Sequence, residues 1–82
     1  MKRDFHYSIY PENSPKHFKA VCTLIEGAYP DATKRKLAVD VDGSTIQLYT
    51  VSGKDIVVFD DYDVGAVFVE SDIDISALIG ER

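Results

Sequence analysis

Asp60, Asp61, Tyr62, Asp63, Glu70, Asp72 and Asp74 crowd the last third of this chain with oxygen. Clustered carboxylates can hold Ca²⁺ or Mg²⁺. An EF-hand loop, however, needs ligands at fixed positions, a central glycine and a closing glutamate, and the spacing here offers no such frame. No metal or other cofactor is therefore expected. Paired carboxylates also serve acid–base catalysis when burial raises the pKa of one of them. Nothing in the sequence marks such burial. These residues read as a solvated acidic loop and, with Tyr49, as the surface that a basic protein partner would meet.

The other reactive side chains also read as structural. Cys22 with His6 or His17 has the components of a thiol nucleophile and its base. A reactive thiolate needs exposure and positive surroundings, whereas Cys22 stands between Phe18 and Ile25 on an apolar helical stripe. His6 and His17 lack a second ligand at metal spacing. Thr33-Lys34-Arg35-Lys36 is a short basic run at a strand entry, without interleaved aromatics. Residues Leu37 to Thr45, with Asp40-Val41-Asp42-Gly43, resemble the first motif of the haloacid dehalogenase phosphohydrolases, in which paired aspartates work with Mg²⁺. Ser44 interrupts that motif, and a chain of 82 residues cannot hold the family's Rossmann-like core. The segment is therefore read as a hairpin, with Asp42-Gly43 as a type I′ turn.

Composition narrows the classes further. The 82 residues allow one domain, 1–82, with 45% apolar and 28% charged residues. No apolar run approaches the roughly 18 residues of a membrane span. No apolar leader follows the first basic residues, so no signal peptide is expected. One cysteine and no leader point to the cytoplasm. The net charge of −5 is unevenly spread. Residues 1–36 carry seven basic and four acidic groups, net +3, and residues 37–82 carry two basic and ten acidic, net −8. Such an acidic half disfavours nucleic acid and would attract a basic protein.

The elements that position these groups follow from periodicity. Residues 4–10 alternate as a strand, with Phe5, Tyr7 and Ile9 on one face. Ser14-Pro15 is a helix start, with Ser14 as N-cap. Phe18, Cys22, Ile25 and Tyr29 make one apolar stripe, so the helix runs from about Pro15 to Ala28 or Tyr29. Strands follow at 35–41, 44–51, 54–60 and 64–70, and a short C-terminal helix over 76–79 ends at Gly80. The fold class is α+β in the order β-α-β-β-β-β, with one helix on a mainly antiparallel meander. Turns at Asp42-Gly43, Ser52-Gly53 and Asp60 to Asp63 set the register. One face then collects Leu37, Val39, Val41, Ile46, Leu48, Val57, Phe59, Val64, Ala66 and Phe68, and is expected to seat the helix. The other holds Tyr49, Val51, Ile56, Val58, Val67 and Val69, too apolar for water. Either the C-terminal segment or another chain is expected to cover it.

The expected function is that of a small acidic, non-enzymatic binding protein, such as a bacterial or phage inhibitor, immunity protein or antitoxin that neutralises a basic partner. The alternative is a homodimer or larger homo-oligomer closed through Val51, Ile56, Val58, Val67 and Val69. A small carboxylate-dependent enzyme is the third.

Overall fold

A computed structural model of the chain describes residues 4–79. Helix α1 spans Pro15–Ala28 and starts as its sequence requires. Ser14 is the extended N-cap, its Oγ accepting the Lys16 N–H at 3.2 Å, and Pro15 takes the first helical position, where a missing N–H costs nothing. Before it lies β1 (Phe5–Tyr10). After it come β2 (Thr33–Lys34), β3 (Ala38–Val39), β4 (Thr45–Val51), β5 (Lys54–Asp61), β6 (Ala66–Ser71) and the short helix α2 (Ser76–Ile79). The Gly80 stop expected after α2 lies outside the described residues.

The strands form one six-stranded, antiparallel sheet in the order β1-β6-β5-β4-β2, with β3 also paired to β4. The four consecutive strands β3 to β6 are the expected meander, and β1 closes the sheet beside β6. Of the expected strand at 35–41 only β3 forms, and a separate short strand, β2, precedes it at Thr33–Lys34. The Gln47 side chain reaches into the break between them and donates from Nε2 to the Arg35 carbonyl at 2.6 Å.

Turn chemistry decides the register hairpin by hairpin. At Ser52-Gly53 both residues have positive φ, 51° and 80°, as a type I′ turn demands. It pairs Leu48 with Val57 and Ile46 with Phe59, as expected. The Asp42-Gly43 hairpin is different. Only Gly43 has positive φ, and its N–H bonds the Asp40 carbonyl at 3.0 Å. The loop therefore has three residues, a type I turn followed by a left-handed glycine. The extra residue slips β3 by one position, pairing Ala38 rather than Val39 with Ile46. The β5–β6 loop lies at 62–65 rather than at Asp60 to Asp63, which pairs Phe59 with Phe68. That shift is even, so the faces of β5 and β6 are unchanged.

The helix covers the opposite face from the one expected. Tyr49, Ile56, Val58, Val67 and Val69 are buried with Val21, Cys22 and Ile25 of α1 and with Ile75 and Ile79 at the C-terminal end. Val51 packs against the same cluster. Val51, Ile56, Val58, Val67 and Val69 are thus core, and they offer no surface for an oligomer. The C-terminal segment does cover that face, as one expectation had it, but it shares the task with α1.

Polar residues explain the choice. Along the strands, His6, Ser8, Thr50, Asp55, Asp61 and Glu70 alternate with the apolar residues of the other face. Seating α1 there would strip water from the Asp55, Asp61 and Glu70 carboxylates, whereas the polar residues buried on the covered face, Gln47, Asp60 and Ser71, each make an internal hydrogen bond. Leu37, Val39, Val41 and Val64, once assigned to the helix seat, stand in solvent, with Val39 66% exposed.

Candidate functional site

The side of the sheet away from α1 carries Ile46, Leu48, Val57, Phe59, Ala66 and Phe68, and no described element covers it. Its centre is an aromatic row across three adjacent strands. Phe59 of β5 stacks on Phe68 of β6 with centroids 4.6 Å apart and planes 12° from parallel. His6 of β1 stacks on the far side of Phe68 at 5.2 Å. Direct cross-strand pairing of residues 59 and 68 holds the first contact. Val57 is buried by its neighbours, while Ile46, Leu48, Phe59 and Phe68 are half-buried.

Acid surrounds this row. Glu70 pairs across from Val57 and lies 3.5 Å from the His6 Nδ1. At one end Asp55 accepts from Thr50, whose Oγ1 in turn takes the Arg35 Nε–H. At the other end the β3–β4 and β5–β6 loops meet, tied by the Tyr62 N–H to the Ser44 Oγ at 2.8 Å. Between them is a hollow of about 360 Å³ lined by Asp40, Asp42, Asp61 and Asp63 together with Ile46 and Phe59. Hydrogen bonds from Ser44 hold the Asp42 carboxyl below the usual range, so it stays ionised. Asp61 accepts the N–H groups of Asp63 and Val64 and so shapes the loop. Among the described residues no group of three or more His, Cys, Asp or Glu side chains is arranged to hold a metal ion.

The expected partner-binding residues divide. Asp61, Tyr62, Asp63 and Glu70 reach the surface, with Tyr62 44% exposed. Tyr49 does not, being fully buried, with its hydroxyl donating to Glu26 at 2.5 Å. Asp60 is 1% exposed and accepts the Ser14 N–H at 3.0 Å, an internal role at the start of α1. Asp72 accepts the Asp55 N–H, and Asp74 accepts from the Tyr7 hydroxyl and the Ser76 N–H. Both still reach the surface, Asp74 exposed and Asp72 half-buried, and their bonds to Tyr7 and Asp55, distant in sequence, are not legible from spacing within 60–74. Conversely Phe59 and Phe68, expected beneath α1, lie on the open face with Asp55, beside the His6 expected to face outward. Their polar neighbours on the same face were the available signal.

Cys22 is buried, and burial pushes its thiol pKa up, away from nucleophilic reactivity. His17 stacks on Tyr10 at 4.0 Å. Among the described residues no helix is long and apolar enough to cross a membrane. Comparison with family models, curated proteins and solved structures found no match.

Proposed function

We propose that this chain is a non-enzymatic protein-binding domain that docks a basic protein on the open face of its sheet. The observation that carries this reading is the Phe59–Phe68 stack, held at 4.6 Å on a face that no described element covers. A rigid aromatic centre inside a charged rim is the usual anatomy of a binding surface, where the apolar middle supplies affinity and the rim supplies steering. The rim here is acidic at Asp55, Asp61, Asp63 and Glu70, within a chain segment of net charge −8. A partner rich in lysine or arginine fits this pattern. An inhibitor of the immunity-protein or antitoxin kind is the specific form we favour.

A homodimer through this face is the second reading, because the same face is apolar enough to seek cover. Its acidic rim argues against it, since face-to-face copies would bring like charges together. The test uses the full chain as bait in lysate of its native host. Wild type should retain a basic protein at low salt, release it by about 0.5 M salt as screening shortens, and lose it on Phe59→Ser or Asp61→Lys. Equal retention by all three baits, or none by wild type, overturns the proposal. Sedimentation showing a salt-insensitive dimer that Phe59→Ser dissociates would establish the second reading in its place.

A further inference from the structure

On the helix side of the sheet, α1 and the β2–β4 edge enclose a groove of about 470 Å³, within the range of small-molecule sites. Phe18, Cys22 and Leu37 form its apolar wall, and Lys19, Lys34 and Arg35 stand around it. Lys34 is held by Glu26 at 3.1 Å, and Arg35 turns its Nε to Thr50 on the other face of the sheet. Lys19 has no ion pair among the described residues, so a positive charge is available to something in the groove.

Two buried polar side chains also line it. Gln47, 2% exposed, directs its amide hydrogens to the carbonyls of Arg35 and Leu48, at 2.6 and 3.2 Å. Its Oε1 is left with no hydrogen-bond partner among the described residues. Asp60, 1% exposed, uses Oδ1 for the Ser14 N–H, and its Oδ2 likewise has none. Buried acceptors are rarely left without a donor. Here two of them share one cavity, beneath an apolar wall and a cationic surround.

We infer that this groove binds a small amphipathic organic anion, of the hydroxylated aromatic carboxylate class. Its carboxylate meets Lys19, its ring lies against Phe18 and Leu37, and its hydroxyl donates to the acceptors of Asp60 and Gln47. A cationic ligand would bring its charge against Lys19, and a ligand without a donor leaves the two acceptors unpaired. This site lies across the sheet from Phe59 and Phe68, so it stands or falls separately from the protein-docking face.

Amide NMR of the ¹⁵N-labelled full chain tests it with 4-hydroxyphenylacetate as the probe, titrated to about 20 mM. A ligand of this size is expected to bind in the millimolar range. The expected result is saturable shifts at Lys19, Cys22, Gln47 and Asp60, with phenylacetate, which lacks the hydroxyl, binding about 10-fold more weakly. Tyramine, which keeps the hydroxyl but carries a cation, should bind more weakly still. Lys19 is exposed, so Lys19→Glu should preserve the free spectrum while weakening the acid about 5-fold. Phe59→Ser should leave binding unchanged. Absence of saturable shifts, equal binding of tyramine and the acid, or indifference to Lys19→Glu overturns the inference, and the groove is then a hydrated cleft.

Discussion

Tyr49 on β4 donates its hydroxyl to the Glu26 carboxylate on α1 at 2.5 Å, and Lys34 of β2 meets the same oxygen at 3.1 Å. One half-exposed carboxylate thereby ties the helix to two strands. Burial, followed by the bond to Glu26, raises the Tyr49 pKa, while the Tyr49 bond and Lys34 lower that of Glu26. Tyr49→Phe is expected to cost about 1 kcal/mol in urea denaturation, modest because water can reach Glu26. The pH signs are opposite. The Tyr49 contribution is present below the unfolded tyrosine value of about 10 and is lost as pH rises above it. The Glu26 contribution is present above the unfolded glutamate value of about 4.3 and is lost as pH falls through its lower folded value. Urea midpoints across pH 3 to 11 should show both losses, with the alkaline one shallower in Tyr49→Phe.

Asp60 has the reverse sign from an ordinary carboxylate. Burial raises its folded pKa, outweighing the Ser14 hydrogen bond that lowers it. Its protonated form is therefore favoured by folding. That contribution is complete below the unfolded value of about 3.9 and is lost as pH rises through the folded value. Asp60→Asn retains an oxygen for the Ser14 N–H and carries no charge. Its stability relative to wild type should increase between pH 4 and pH 7. A constant difference across that range, measured by urea unfolding, would contradict the burial argument.

Valine truncation reads which face is core. Val58 is fully buried between α1 and the sheet, whereas Val39 is 66% exposed at the β3 end. Val58→Ala should cost about 2 kcal/mol, through lost transfer energy and a residual cavity. Val39→Ala should stay within about 0.5 kcal/mol. Thermal unfolding of the two variants side by side distinguishes them.

Two glycines should respond in opposite directions. Gly27 lies in α1 with nothing within 4 Å of an added Cβ, so Gly27→Ala should stabilise by about 0.5–1 kcal/mol through unfolded-chain entropy. Gly53 has φ of 80° in the β4–β5 turn, where a side chain is strained whatever the space. Gly53→Ala should cost about 1 kcal/mol. Melting temperatures of the two variants should therefore move apart.

Most elements are legible in the amino-acid sequence, the break between β2 and β3 excepted. Ser14, Pro15 and the Phe18–Cys22–Ile25 stripe define α1, and alternation with Ser52-Gly53 defines β4, β5 and their register, because caps, periodicity and positive-φ turns act over a few residues. Which face α1 covers is settled by packing between elements distant in sequence. Both faces are apolar enough to attract a helix. The choice followed from where Asp55, Asp61, Glu70 and His6 would have to go, and from Asp60 meeting the Ser14 N–H across 46 positions of chain. The same is true of Asp42-Gly43, where a short-range signal fits two loop lengths and packing of Tyr62 against Gly43 accompanies the three-residue one. Local chemistry specifies an element, but a face is chosen by comparing the desolvation cost of every polar group on both sides, and that comparison exists only once the strands are assembled.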